Sequence, residues 1–207
     1  MVKLVYLGHS AFLIQDDKVS FVIDPYEDGS VPGLRLTRVQ ANYAFSSHDH
    51  HDHNALHLVD IIPTNARVDY QTMVVPHDHH CGEHRGLNKM YLFNLSGLRI
   101  LHTGDLGCIP GKDVLKKIEN VDVLLAPING FYTISAGELH EIMQIVKPQL
   151  TIPMHYYRRQ DNSGYPDGNQ IDIFKKLVLH YKEVNEPTVV LDDETLNSGV
   201  IILNKNL

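Results

Sequence analysis

The sequence contains no tryptophan and only two cysteines among its 207 residues. Two cysteines, Cys81 and Cys108, are too few for a disulfide framework, so we expect free thiols in a reducing compartment, with a single bridge left open. No apolar run approaches the ~20 residues that a membrane-spanning helix needs. The N-terminus also lacks the apolar core and cleavage site of a signal peptide. We therefore predict a cytoplasmic protein with no membrane partner.

Lysine and arginine are also outnumbered by aspartate and glutamate, so the formal net charge is −7. A nucleic-acid-binding surface needs clustered lysine and arginine, so this balance disfavours a nucleic-acid partner. It leaves an anionic small molecule open, because bound cations would invert the local field. The hydrophobic fraction of 43% is enough for a sizeable core. With no linker, repeat or low-complexity tract, we predict one domain over residues 1–207.

The apolar pattern divides the chain into a β-rich first half and an alternating second half. Strands are predicted at 2–7, 11–15, 19–23, 42–45, 72–75, 89–95 and 98–101. Beyond position 105, helices are predicted at 112–119, 138–146 and 171–181, and strands at 121–128, 150–154, 188–191 and 200–203. Ser135 and Glu138 have the spacing of a capping box. This order predicts an α/β sandwich with sheets inside and helices outside.

Histidine is the residue type in clear excess, with 14 copies. Nine of them fall between positions 48 and 84, at His48, His50, His51, His53, His57, His77, His79, His80 and His84. The run from His48 to His53 has the pattern His-x-His-x-Asp-His directly after a predicted strand. Alternate residues of an extended segment point the same way, so His48 and His50 can reach one metal ion. We expect Asp52 and His53 to turn toward a second ion as a helix begins near Asn54.

With this loop the chain resembles the metallo-β-lactamase superfamily, whose signature is the His-x-His-x-Asp-His pattern. It is most similar to small prokaryotic metal-dependent hydrolases of the ascorbate-6-phosphate lactonase group and to hydrolases with a Gly-His-Ser start. Further landmarks occur in the family's order, at Asp24, His77, Asp105 and His155. The resemblance implies a four-layer αββα sandwich of two mixed β-sheets flanked by helices.

The resemblance also implies a centre for two divalent metal ions, with zinc expected first and manganese or iron as alternatives. The implied ligands are His48, His50 and His77 for one ion, Asp52, His53 and His155 for the other, and Asp105 as the bridge. At the His77 landmark, His79 stays open as the alternative ligand. Asp24 is expected to orient a ligating histidine, with a turn cap as the alternative.

The implied activity is that of a metal-dependent hydrolase, in which a metal-bound hydroxide attacks an ester, lactone or phosphoester and Asp52 assists as the catalytic carboxylate. Relatives with di-iron oxygen chemistry carry glutamate where this chain has His50, which favours hydrolysis. Candidate residues around the substrate are His9, Arg85, Tyr132 and Tyr156, with positive charge added by Arg158 and Arg159. These residues suit a small anionic substrate.

Two rival functions stay open, as do several details. A phosphodiesterase or nuclease is less favoured, because superfamily nucleases carry an inserted clamp domain that we do not expect within this length. A non-catalytic metal-binding protein is disfavoured by the full ligand set. The roles of His9 and His102 and association into a homo-oligomer remain undecided. His57, His140 and His180 are expected to be ordinary surface residues.

Overall fold

The computed structural model describes residues 1–156 and 169–204, which form two large β-sheets packed face to face. The strands of the first half are β1 (Val2–Gly8), β2 (Ala11–Gln15), β3 (Ser20–Ile23), β4 (Val39–Ala41), β5 (Tyr43–Phe45), β6 (Val59–Ile61), β7 (Asp69–Pro76) and β8 (Leu87–Leu95). Those that follow are β9 (Leu98–His102), β10 (Val123–Pro127), β11 (Leu150–Met154), β12 (Lys182–Val184), β13 (Thr188–Leu191) and β14 (Gly199–Leu203). The helices are α1 (Lys112–Lys117), α2 (Ala136–Val146), α3 (Gln170–Leu177) and α4 (Asp193–Leu196).

Both large sheets mix parallel and antiparallel pairs. The five-stranded sheet has the order β13-β1-β2-β3-β5, and only β3 with β5 is parallel. The seven-stranded sheet has the order β12-β14-β11-β10-β9-β8-β7. Neighbouring strands from β12 to β9 pair in parallel, whereas β9 with β8 and β8 with β7 pair in antiparallel fashion. A small parallel pair joins β4 to β6. The predicted α/β sandwich of two mixed sheets is confirmed.

Two apolar layers hold this arrangement together. Between the sheets, alternate residues of β1 point inward with the rings of Phe12, Phe21 and Phe93. On the outer face of the seven-stranded sheet, α2 packs Leu139, Ile142 and Val146 at helical spacing. The capping box predicted for α2 is present, because Ser135 and Glu138 each bond the other's backbone N–H.

The outer face of the five-stranded sheet is covered by the segment between Tyr26 and Val59. Within the described residues this layer contains a 3₁₀ turn at Leu56–Leu58 and no α-helix. The helix start predicted near Asn54 therefore corresponds to this single 3₁₀ turn, whose N-cap is Ala55, and not to an α-helix. The β-branched residues after this turn favour extended backbone, so the chain forms β6, which pairs with β4.

The remaining differences from prediction are at short elements. The helix predicted over 171–181 ends at Leu177, because the chain turns extended and β12 pairs with β14. The strands β4, β6 and β12 were not predicted, since three residues carry too little periodicity. Both cysteines are free, as expected. Across the described ranges, no helix has the length and apolarity needed to cross a membrane.

Candidate metal centre

Six strands of the two sheets end at a common edge, and a candidate site residue follows each one. His9 follows β1, Asp24 follows β3, the histidine loop follows β5, His77 follows β7, Asp105 follows β9 and His155 follows β11. Three of these residues have left-handed backbone, with φ of 57° at His9, 52° at Asp24 and 51° at His155. Such conformations cost about 1–3 kcal/mol each and are typical of functional sites.

The first donor group contains His48, His50 and His77. Ring centroids are 4.5 Å apart for His48 and His50 and 4.6 Å for His48 and His77. One nitrogen from each of the three can be chosen so that all lie within 4.8 Å of one another. His48 and His77 are buried, whereas His50 is exposed to the cleft. The predicted ligands of the first ion are thus brought together.

The second donor group contains Asp52, His53, His155 and also His9, again within 4.8 Å of one another. Asp52 Oδ2 lies 3.7 Å from His53 Nε2 and 3.3 Å from His9 Nε2. The ring centroids of His9 and His155 are 3.9 Å apart. His9 therefore belongs to this group, although the sequence left its role open.

Asp105 lies between the two groups. Its Oδ2 is 3.1 Å from Nε2 of His155, 3.2 Å from Nε2 of His53 and 3.5 Å from Nε2 of His77. Its backbone N–H donates to Oδ1 of Asn88 at 3.0 Å. Gly104 is required beside it, because a Cβ there would meet that Asn88 oxygen at 2.2 Å. Asn88 was missed from sequence, where only its polarity within a strand marks it.

Asp24 connects both donor groups through Ser47. Its Oδ1 accepts the backbone N–H of Ser47 at 2.6 Å, and its Oδ2 accepts the Ser47 hydroxyl at 2.7 Å. Since that hydroxyl donates to Asp24, Nδ1–H of His48 donates to Ser47 Oγ at 2.9 Å. Nδ1 of His53 lies 3.0 Å from Asp24 Oδ2. Both histidines are thereby held with Nε2 toward the centre, which is how carboxylates orient metal-binding histidines.

The site carries concentrated negative charge. Burial alone would lower the pKa of His53, but the carboxylates of Asp105 and Asp24 outweigh it and raise that pKa well above the ordinary value. Burial would likewise raise the pKa of Asp105, yet His155 and His53 hold it well below its usual range. Asp105 is therefore ionised although it is 2% exposed. A buried carboxylate of this kind needs a cationic partner.

The chemistry of the donors fits divalent metal ions. Burial lowers the pKa of His48 to about 4 and, together with neighbouring His155, that of His9 to about 4. Both rings are thus neutral near pH 7, the state in which imidazole binds a metal ion. Nε2 of His48 and Oδ1 of Asp105 are buried and have no hydrogen-bond partner among the described residues. Because buried polar atoms are normally paired, these atoms fit the ligands of a bound cation.

Two histidines that the sequence left open lie apart from the donor groups. His79 is exposed, with Nε2 2.7 Å from Oε1 of Glu138, so His77 and not His79 reaches the first donor group. His102 is fully buried, and its Nε2–H donates to the carbonyl of Ser10 at 2.9 Å. Its Nδ1 accepts the backbone N–H of Gly104 at 3.1 Å. Both ring nitrogens of His102 are therefore used within the protein.

Three histidines were expected on the surface. His57 and His180 are exposed, whereas His140, on α2, is half-buried. His140 is therefore partly exposed, and its Nδ1 is buried.

A cleft of about 630 Å³ opens over the donor groups. Arg85 and Tyr132 line it, with the Arg85 guanidinium 5.2 Å from the Tyr132 ring centre and 5.6 Å from that of Phe131. Ser30, Asp49 and His51 also line the cleft and were not predicted. The Tyr156 hydroxyl instead donates to the carbonyl of Leu203 at 3.3 Å, and Tyr156 is not part of the cleft lining. Arg158 and Arg159 lie outside the described residues.

Comparison with known proteins places this fold and site in a family. The model of the β-lactamase superfamily domain matches residues 3–155. A UPF0173 metal-dependent hydrolase of Carboxydothermus hydrogenoformans is 26% identical over 195 residues, covering 75% of this chain and 84% of that protein. The corresponding hydrolase of Thermococcus kodakarensis is 28% identical over 219 residues, covering 89% and 95%.

A solved structure from Thermotoga maritima, assigned to the Zn-dependent hydrolases of the metallo-β-lactamase superfamily, superposes with a TM-score of 0.75. It shares 24% sequence identity and covers 99% of both chains, so this likeness shows the fold. The chain belongs to the β-lactamase superfamily domain family, in its metallo-β-lactamase fold. The resemblance inferred from the histidine loop is confirmed at this level.

Proposed function

We propose that the protein is a metal-dependent hydrolase that cleaves an ester, lactone or phosphoester bond of a small anionic substrate. The observation that carries the proposal is the position of Asp105, whose carboxylate lies within 3.5 Å of histidines from both donor groups. The two relatives described above are named metal-dependent hydrolases, which agrees with hydrolysis as the reaction class. Zinc is the first candidate, and manganese and iron are the alternatives.

Each residue of the centre has an assigned part in this proposal. His48, His50 and His77 would hold one ion, Asp52, His53 and His155 the other, and Asp105 would join them. Bound together, two such ions supply an activated water and stabilise the negative charge that develops on the substrate. Asp24 and Ser47 contribute by keeping His48 and His53 in the orientation that faces the cleft.

Asp52 is the residue we assign to proton handling. Its side chain is 28% exposed, whereas that of Asp105 is only 3% exposed, so a water in the cleft can reach Asp52. Burial would raise its pKa, but the neighbouring rings of His9 and His53 keep that pKa below the usual range. Ionised Asp52 accepts a hydrogen bond from the attacking water and takes its proton. The proton then passes to the oxygen of the leaving group, which balances the hydrolysis.

Arg85 defines the substrate class within this proposal. Its guanidinium is held against the rings of Phe131 and Tyr132 and lines the same cleft as Asp105. An arginine fixed by aromatic rings presents its planar donors in a set direction, which suits a carboxylate or phosphate group. A small anionic molecule can therefore place its charged end on Arg85 and its scissile bond over the donor groups.

The test uses metal-free protein reloaded with Zn²⁺, Mn²⁺ or, without oxygen, Fe²⁺. Each form is assayed with p-nitrophenyl esters that carry or lack a second carboxylate, with lactones, and with bis-p-nitrophenyl phosphate. We expect metal-dependent turnover of one bond class, with preference for the carboxylate-bearing probe. Arg85→Gln should raise KM for that probe about 10–100-fold, as expected for loss of a charged hydrogen bond, with little change for the neutral probe.

Arg38→Gln is the matched control, because Arg38 is exposed and pairs with Asp60 away from the cleft. Absence of metal-dependent hydrolysis in all three bond classes would refute the proposed reaction. Equal KM changes for charged and neutral probes in Arg85→Gln would refute the assigned substrate class alone. Turnover restricted to the phosphodiester would make a phosphodiesterase the correct narrower assignment.

A further inference from the structure

The position of His9 has a consequence for the second donor group. Its Nε2 is 3.3 Å from His53 Nε2 and 3.3 Å from Asp52 Oδ2. The residue is 4% exposed, and its ring lies 3.9 Å from that of His155. His9 is thus enclosed by three residues that we assign to one metal ion. It follows a different strand from each of them and lies far from them in sequence.

These separations match shared coordination better than direct hydrogen bonding. A charge-assisted N–H···O bond is about 2.7–2.9 Å long, shorter than the distance between His9 and Asp52. Two donors that each lie about 2.0–2.2 Å from one ion, at an angle of about 90–110°, are about 2.8–3.6 Å apart. The spacing of His9 from both neighbours therefore falls within the range of ligands around a common ion.

The backbone holds His9 at this point through several constraints. Pairing of β1 with β2 shifts register between Tyr6 and Gly8, and Gly8 and His9 both have positive φ, at 102° and 57°. The carbonyl of His9 accepts the backbone N–H of His155 at 3.0 Å and the hydroxyl of Tyr6 at 3.0 Å. His9 and His155 are therefore positioned as one unit. A left-handed histidine is unfavourable by itself, so this local structure is maintained by its surroundings.

We infer that Nε2 of His9 is an additional ligand of the ion held by Asp52, His53 and His155. The inference rests on the proposed metal centre and extends it. With Asp105, the second ion would have five side-chain donors, whereas catalytic zinc sites commonly have three protein ligands. The second position should therefore favour an ion that accepts five or six nitrogen and oxygen ligands, such as Mn²⁺ or Fe²⁺. The first position, with His48, His50 and His77, does not share this feature.

The test follows Co²⁺ binding to metal-free protein by visible absorption and by NMR of the shifted imidazole N–H signals. The variant is His9→Asn, because asparagine tolerates the left-handed backbone but is too short to reach the ion. His9→Gly is a second variant that accepts the same backbone without any side chain. The control is His57→Asn, since His57 is exposed and its Nδ1 lies 3.6 Å from Oε1 of Glu27. Circular dichroism of the metal-free proteins checks that each is folded.

We expect Co²⁺ to bind at the position of His48, His50 and His77 alike in all proteins. At the position of Asp52, His53 and His155 it should bind His9→Asn and His9→Gly at least about tenfold more weakly than wild type, with one fewer shifted histidine signal. Its visible absorption should intensify, because fewer ligands remain. Folded variants with wild-type affinity and signal number would overturn the assignment of His9 while leaving the proposed function intact. Wild-type protein that binds no Co²⁺ would overturn both.

Discussion

The carboxylate of Asp24 lies 3.0 Å from Nδ1 of His53, and this pair determines which nitrogen of the ring faces the cleft. Both side chains are fully buried. The same carboxylate accepts the hydroxyl of Ser47, which in turn accepts Nδ1–H of His48. One carboxylate outside the donor groups therefore orients a histidine in each of them. Its negative charge also adds to that of Asp105 beside His53.

Asp24→Asn tests this orientation with almost no change in volume. An amide can present its NH₂ to His53 or to Ser47 and lacks the negative charge that stabilises the Nδ1–H form. We expect affinity for both metal ions to fall about 10–100-fold, as is usual when a partner of a ligating histidine is changed. The measurement is competition with a coloured chelator, with Asp60→Asn as the control, since Asp60 is half-buried and pairs with Arg38 away from the donor groups. Unchanged affinity at both positions would show that Asp24 does not orient the ligands.

Asp105→Ala tests the bridge. Removal of its carboxylate leaves His53, His77 and His155 without their common neighbour and removes a buried negative charge. Metal content should fall first at the second position, because three histidines still serve the first ion. Turnover should fall about 10²–10³-fold, the loss typical of one electrostatic stabiliser. Elemental analysis and steady-state kinetics measure both effects, with exposed Asp113→Ala as control. Two retained ions with near wild-type rates would contradict the bridging role.

The pH dependence of the metal-free protein tests the buried histidines. The pKa of His48 is lowered from 6.5 to about 4 by burial, so between these values the unfolded chain binds a proton that the folded protein does not. The free energy of unfolding should therefore rise with pH across this window and decline as pH falls from 6.5 toward 4. His53, with its raised pKa, acts in the opposite sense above pH 6.5.

His48→Gln should make the stability profile shallower by up to about 1.4 kcal/mol per pH unit, the slope that one proton contributes. Urea unfolding at closely spaced pH values between 4 and 6.5 measures this, in the presence of a chelator. His57→Gln removes an exposed histidine and should leave the slope as in wild type. A His48→Gln profile parallel to wild type would show that His48 is not held neutral by burial.

The sequence predicted the parts of the site that depend on local spacing. The histidine loop combines alternation at His48 and His50 with the later Asp52 and His53. This pattern can be recognised from the sequence without knowledge of the fold. Asp105 and His155 were identified through the family resemblance, and the fold brings them together because each follows a strand and the ends of parallel strands meet at one edge. The two mixed sheets followed from the same succession of strands and helices.

Other features depend on contacts between distant segments. His9 reaches the second group only because of a register shift in β1 and a backbone bond to His155. Asn88 is buried within β8, where its role rests on the approach of Gly104. Tyr156 follows a predicted ligand in sequence, yet its hydroxyl bonds Leu203. Such placements are set by tertiary packing, which overrides sequence proximity.

Asp78 shows another contribution that residue spacing did not reveal. Its Oδ1 accepts the backbone N–H groups of His80 at 2.7 Å and Gly82 at 2.9 Å. Its Oδ2 accepts those of His84 at 3.0 Å and Arg85 at 2.8 Å. This buried carboxylate thus organises the loop that brings Arg85 to the cleft. The start of the loop is fixed separately, since a Cβ at Gly107 would meet the backbone of Asp78 at 2.0 Å.

Asp78→Asn should loosen the loop while leaving the metal ligands in place. Asparagine has one carbonyl oxygen, so it can serve only one of the two N–H pairs and directs its NH₂ toward the other. We expect one pair, either His80 with Gly82 or His84 with Arg85, to lose protection in amide hydrogen exchange. KM for the carboxylate-bearing probe should rise as in Arg85→Gln. Metal affinity should stay close to wild type, because His77 remains held against Gly107.

The separation of these two effects distinguishes Asp78 from a general stabilising residue. A variant that merely destabilised the fold would lose protection throughout β8 and β9 and would weaken metal binding together with substrate binding. Asp113→Asn serves as control, since Asp113 is exposed on α1. If exchange in the loop is unchanged while KM still rises, Asp78 acts on substrate by another route. If both are unchanged, Arg85 holds its position without this carboxylate.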